Sequence, residues 1–205
     1  LAFYNLENLF DTINDTFKRD EASPIMEMKY NRSEVYNKKI KNLSRVISGI
    51  GFEETKTLPT IVGLCEVENK NVVEDLINSD LLKNANYGIS HFDSPDERGI
   101  DVALIYRKNM FKILNENSAY LELKYASGKI NYTRDQLVVE GILENEKIYI
   151  IVNHWPSRSG GELGSRPYRN KAAELNVFII DSIQSINKNA KIITMGDFND
   201  DPTNE

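Results

Sequence analysis

One cysteine, two histidines and one tryptophan in 205 residues leave little soft or imidazole chemistry from which to build a site. The lone Cys65 cannot form an internal disulfide, and it excludes a zinc site made of cysteines. No apolar run approaches the roughly 20 residues that span a bilayer, and no secretory leader pattern opens the chain, so stable membrane insertion is not expected. Positive charge is scarce as well: 25 lysines and arginines face 31 acidic residues, a net charge of −6. That argues against a protein held on duplex DNA by bulk electrostatics, while leaving room for a local basic cleft.

What is present is an ordinary globular composition, 40% hydrophobic and 27% charged, at a length that fits one domain. Near its end, the apolar run at 191–195 reads as a buried strand. It breaks at Gly196, and Asp197, Phe198 and Asn199 follow before Pro202 stops further ladder pairing. Polar groups just past the carboxyl end of a buried strand are where open α/β sheets place their chemistry. On an extended backbone, Asp197 and Asn199 point the same way.

Three other strand ends repeat the theme. The strand that starts at Ala2 turns polar at Asn5 and Glu7. The continuous apolar run at 60–65 closes on Glu66 and then, after Val67, on Glu68. A carboxylate that ends a buried strand is costly unless it is paired or bound to a cation, so Glu66 reads as a metal ligand and Glu68 as solvent-facing. The strand over 147–152 runs into Asn153-His154-Trp155-Pro156.

Between these ends, Val35, Ile40, Leu43, Val46, Ile47 and Ile50 fall on one helical face, with Lys38, Lys39, Lys41 and Arg45 mostly on a solvated one and Gly49 or Gly51 as the stop. Val72, Val73, Leu76 and Ile77 predict a short helix capped by Asn69 or Asn71. His91 alternates with Tyr87 and Ile89 and reads as an edge or surface histidine without a role. Asp101, inside the apolar run 100–107, needs a partner: Arg98 is one, support of an active site the other. Glu144-Asn145 turns one strand back on its neighbour. A Gly-rich loop at 159–167 has Arg158, Arg166 and Arg169 in or beside it, a setting that suits a phosphate. Ala172, Leu175, Phe178, Ile179, Ile183 and Ile186 then form a helix face.

The strand-end inventory of Asn5, Glu7, Glu66, Asn153, His154, Asp197 and Asn199 is rich in carboxylates and amides and has no cysteine. It suits a hard, oxygen-loving cation. With arginines alongside, the fitting chemistry is metal-assisted attack on a phosphoester.

The blocks Tyr4-Asn5-Leu6-Glu7, Leu64-Cys65-Glu66-Val67, the run from Gly99 to Arg107, Asn153-His154-Trp155-Pro156-Ser157 and Gly196-Asp197-Phe198-Asn199 resemble, in order, those of the endonuclease/exonuclease/phosphatase superfamily, whose fold is that of deoxyribonuclease I. The resemblance implies one domain over residues 1–205, built as a four-layered α/β/β/α sandwich of two packed mixed β-sheets. It implies a Mg²⁺- or Mn²⁺-dependent phosphodiesterase or phosphatase. Glu66 matches the family's metal-binding Glu and Asn5 the first-strand Asn of the metal and phosphate site; Glu7 matches a variable acidic position. His154 matches the residue that hydrogen-bonds the scissile phosphate, with Asn153 beside it expected to bind the phosphate too, Asp197 the Asp that activates water, and Asn199 the Asn that steadies it.

The family pattern also closes with a strand ending in a Ser-Asp-His-like block that supplies a metal-linked Asp and the general-base His. This sequence ends at Glu205, and neither His91 nor His154 lies in such a block. The expectation is therefore a domain lacking its last strands, with weak metal binding and slow or absent turnover. Nucleic acid is the expected substrate, on a resemblance to bacterial, often secreted, nuclease-like members. A phosphatase or phospholipase-type diesterase on inositol phosphates or sphingolipids, and an inactive binding protein of the same fold, are the alternatives. DNA or RNA, and endo- or exo-action, stay open at this point.

Overall fold

The computed structural model describes residues 1–203. Among the described residues eight strands are formed: β1 (Ala2–Leu9), β2 (Ile61–Val67), β3 (Tyr87–His91), β4 (Asp101–Arg107), β5 (Phe111–Ala119), β6 (Gln136–Leu143), β7 (Glu146–His154) and β8 (Lys191–Asp197). The helices are α1 (Arg32–Gly49), the single turn α2 (Phe52–Thr55), α3 (Lys70–Ile77) and α4 (Glu162–Ile186).

The strands form two mixed sheets, ordered β1-β2-β4-β3 and β5-β6-β7-β8. Strands β1 and β2 run parallel, as do β7 and β8, and the other pairings are antiparallel. Each central strand has one face on each of two apolar layers, which explains its unbroken run of apolar residues. Between the sheets, Ile61, Cys65, Val102 and Leu104 of one pack with Phe111, Leu137, Val139, Ile150 and Val152 of the other. On the far side of the first sheet, Val62, Leu64 and Ala103 pack with Ile40, Leu43 and Ile47 of α1 and Val72, Val73 and Leu76 of α3. On the far side of the second, Ala172 and Leu175 of α4 close over Leu121 and Leu123. The order is helix, sheet, sheet, helix, as the resemblance implies.

Local signals explain the boundaries. Asn69 caps α3, its side chain accepting from the Val72 N–H at 3.1 Å. Glu144 and Asn145 take φ of 50° and 66°, the left-handed pair of a tight hairpin joining β6 and β7.

Several expectations are corrected. Strand β8 is only partly buried, because it is the edge of its sheet among the described residues. The Gly-rich loop is short: α4 starts at Glu162 and carries Pro167 in its second turn. Beyond Asn176 the predicted apolar face of α4 is only partly covered: Ile179 and Ile183 are half-buried, while Phe178 and Ile186 stand 68% and 89% exposed. On α1, Val35 and Val46 are exposed, and Tyr36 and Ser44 share the buried face with Ile40, Leu43 and Ile47.

Candidate active site and metal centre

All four predicted strand ends meet at one edge of the sandwich. One ligand atom each from Glu66, His154 and Asp197 lie within 4.8 Å of one another. The Asn5 amide stands between the two carboxylates, its Nδ2 donating to Glu66 Oε1 at 3.2 Å and to Asp197 Oδ2 at 3.1 Å. His154 Nε2 lies 3.8 Å from Glu66 Oε1.

Backbone irregularities aim these groups. The β2 register shifts between Cys65 and Val67, and Glu66 sits at the bulge with φ 60°. Cys65 and Val67 are both fully buried, so the bulge turns the carboxylate out of the core between them. The β1 register shifts between Asn5 and Leu9, where Glu7 and Asn8 have φ of 52° and 58°. Asn199 has φ 50°. Four left-handed non-glycine residues thus gather at one site, each costing on the order of 1 kcal/mol or more. Local hydrogen bonds hold them: Glu7 N donates to Asn5 Oδ1 and Asn8 N to Glu66 Oε2, both at 2.7 Å.

The chain turns after Asp197 rather than continuing extended. Asn199 N donates to Asp197 Oδ1 at 3.0 Å, and its Nδ2 donates to the Trp155 carbonyl at 3.0 Å. Phe198 packs edge-on against Trp155, ring centroids 4.8 Å apart. Gly196 is required here, since a Cβ would lie 2.3 Å from the Asn153 carbonyl oxygen.

Burial, with the nearby Arg134 and Arg98 guanidiniums adding to it, drives the His154 pKa down to about 2. The imidazole is therefore neutral, and its approach to Glu66 is not an ion pair. Its buried Nδ1 has no hydrogen-bond partner among the described residues. Among the described residues, neither Glu66 nor Asp197 is paired with a lysine or arginine. Two converging carboxylates with no ion-paired lysine or arginine, next to a neutral imidazole, fit a divalent metal ion well. Glu66, Asp197, Asn5 and His154 are the residues that would surround it.

The other predicted residues are placed differently. Asn153 is fully buried, and its carboxamide is used within the protein: Nδ2 donates to Thr194 Oγ1 and the Met195 carbonyl, and Oδ1 accepts from Trp155 Nε1 and Asn176 Nδ2. Arg169, only 1% exposed, binds Asp200 at 2.8 Å and Ser165 Oγ at 2.7 Å, so its guanidinium is committed inside α4 and its contacts. Arg158 pairs with Asp200 and Asp201, and Arg166 with Glu162. Asp101 is buried, but its partners are the Ser94 N–H and hydroxyl and His91; Arg98 pairs with Asp96. His91 does lie on the edge strand β3, yet its side chain is 3% exposed and is no surface histidine. Glu68 is also buried, its carboxylate accepting from the Asp11 N–H at 2.6 Å, and burial raises its pKa to about 7.

Two residues without a sequence signal matter. Lys39, expected on the solvated face of α1, reaches back to the carbonyls of Glu7 and Asn8. Arg134 is buried, pairs with Asp96 and donates to the Trp155 carbonyl at 2.7 Å, the same oxygen that Asn199 uses. It forms one wall of a groove of about 470 Å³, also lined by Arg98, Tyr125, Tyr132, Ser157 and Tyr168.

A model of the Endonuclease/Exonuclease/phosphatase family matches residues 1–205. A comparison with curated protein sequences found no match. Among solved structures, a family protein from Bacteroides thetaiotaomicron is similar at 15% identity and TM-score 0.59, covering 86% of this chain and 60% of that one. The human Nocturnin catalytic domain with bound sulfate is similar at 21% identity and TM-score 0.51, with coverages of 80% and 58%. ANGEL2, a 2′,3′-cyclic phosphatase, is similar at 15% identity and TM-score 0.56, with coverages of 98% and 52%. The chain thus spans about half to three-fifths of the length of these solved chains.

Proposed function

The chain belongs to the endonuclease/exonuclease/phosphatase family, and on that premise we propose that it hydrolyses phosphodiester bonds, those of nucleic acid above all, with a divalent cation at Glu66. The observation that carries this reading is the meeting of Glu66, His154 and Asp197 from three separate strands within 4.8 Å. When bound, Mg²⁺ or Mn²⁺ withdraws charge from the phosphate and the leaving oxygen.

The protein's own groups do the rest. Asp197 is fixed from two sides, by Asn5 Nδ2 and Asn199 N, and keeps lone pairs free to accept a proton from water. That water attacks phosphorus as the bond to the leaving oxygen breaks. The neutral His154 donates its N–H to a non-bridging oxygen without becoming charged. Asn199 fixes the Asp197 carboxylate in that attitude. Arg158, 37% exposed and paired with Asp200 and Asp201, lines an open pocket with Asp197 and Asn199, where a phosphate chain leaving the cluster would compete for its guanidinium.

The adjoining groove favours a polymeric substrate over a compact phosphoester. Tyr125 and Tyr132 are 46% and 45% exposed beside Arg98, offering flat faces and a guanidinium to the units that flank the scissile bond. A substrate panel with and without Mg²⁺ tests the reading. Cleavage of an oligonucleotide well above that of inositol phosphates or sphingomyelin supports it. Preferred hydrolysis of the small esters favours the phosphatase or phospholipase-type alternative, and no turnover with any of them favours a binding protein of the same fold.

A further inference from the structure

The turn at Glu7–Asn8 is gripped from both sides. On one side its two N–H groups hold the cluster: Glu7 N donates to Asn5 Oδ1, and Asn8 N to Glu66 Oε2. On the other its two carbonyls converge on one ammonium, Lys39 Nζ, which donates to the Glu7 oxygen and, at 2.9 Å, to the Asn8 oxygen. Both residues are left-handed and neither is glycine, so the turn is not a conformation that this stretch would adopt unaided. Lys39 comes from the middle of α1, whose Ile40 and Leu43 are anchored in the core beside it, so its stem starts from a rigid base. Without that donor, the two converging carbonyls would be left to mobile water, and the turn would relax.

We propose that Lys39 is a positioning residue for the cation site: by clamping the Glu7 and Asn8 carbonyls it sets the two N–H groups that orient Asn5 and Glu66. The inference rests on the reading of Glu66 as a cation ligand. It also makes a prediction opposite in sign to simple electrostatics. An ammonium close to Glu66 repels a divalent cation, so charge alone says that removing it tightens metal binding. A clamp says that removing it loosens metal binding, because groups that orient ligands typically govern affinity by about 10–100-fold.

The test is Mn²⁺ binding to the metal-free 205-residue chain, followed by the EPR signal of free Mn²⁺ with no substrate present. Lys39→Met should weaken Mn²⁺ binding by about tenfold or more, with an unchanged circular dichroism spectrum in EDTA. Lys39→Arg, which can still donate to two carbonyls, should stay close to wild type. If Lys39→Met is too unstable to assay, Lys39→Arg and Lys39→Gln replace it, with Arg expected to bind more tightly than Gln. Glu66→Gln is the control that separates the two readings. Loss of binding in Glu66→Gln with unchanged or tighter binding in Lys39→Met overturns the role of Lys39 and leaves the metal site standing. Wild-type binding in both overturns the metal site and the clamp together.

Discussion

His154 and Asp197 are register partners, the last residues of the parallel neighbours β7 and β8. The ladder carries on for one more bond, from Trp155 N to the Asp197 carbonyl at 2.9 Å, so both side chains leave the sheet at the same level. Neither can shift along its strand without the other. Gly196, packed against the Asn153 carbonyl oxygen, fixes the spacing one residue earlier.

On the proposed reading, Asp197 is the proton acceptor for attacking water. Asp197→Asn keeps the size and the hydrogen bond from Asn199 N but removes the base. The turnover number should fall by about 10²–10⁴-fold, with the thermal midpoint little changed. Steady-state hydrolysis and a melting curve on the same preparation check both.

Asn153 should matter for stability rather than for the phosphate. Its carboxamide links β8, Trp155 and Asn176 in a fully buried network. Asn153→Ala leaves Trp155 Nε1 without this acceptor and should destabilise the fold by about 1–3 kcal/mol, read from urea unfolding. A loss of activity with no loss of stability would return Asn153 to the phosphate site.

Much of this was legible from the sequence because strand ends are legible. Glu66 and Asp197 close apolar runs, where a carboxylate is costly unless it is paired or bound to a cation. The residues that went unseen act through backbone shape. Glu7 and Glu66 give no sign of a left-handed φ, and Asn8, though asparagine takes one more readily than most residues, does not reveal the paired carbonyls, so Lys39 reads as one more solvated lysine. Arg169 was misread for the converse reason. Glycines and arginines near Pro167 suggest a phosphate loop, yet α4 begins at Glu162 and turns that guanidinium inward to Asp200. Glu68 and His91 show that alternation locates a strand but not what covers its polar positions: both are enclosed by loops that carry no periodicity.

Cys65 should be inert in the folded protein. It is fully buried between the sheets, and burial, then the Asp197 and Glu66 carboxylates, push its thiol well above the ordinary range. A thiol reagent such as dithionitrobenzoate should react with no cysteine in native buffer and with one in guanidinium. Fast native labelling would mean that the two sheets part readily.

Alkali should unfold the protein through its buried tyrosines. Burial raises the Tyr87 pKa to about 12, and Tyr87 donates to the Pro59 carbonyl at 2.6 Å; Tyr36 is raised too, by burial and by its bond to Asp75. Between pH 10, near which these groups ionise in the unfolded chain, and pH 12, the folded state holds protons that the unfolded state has lost. Stability is therefore fully present below about pH 10 and falls as pH rises through this window. Tyr87→Phe should flatten that fall relative to wild type, as read from urea midpoints at pH 9 to 11.

The most direct measurement is the Mg²⁺ dependence of oligonucleotide cleavage, expected to be slow in this chain, by the wild type beside Glu66→Gln. The predicted result is cleavage that rises and saturates with Mg²⁺ in the wild type and vanishes in EDTA. In Glu66→Gln it should be reduced by at least about 10²-fold, with the titration shifted to higher Mg²⁺. Equal cleavage by the two proteins at every Mg²⁺ concentration would contradict the account, because the carboxylate at its centre would then be holding no cation that the reaction needs.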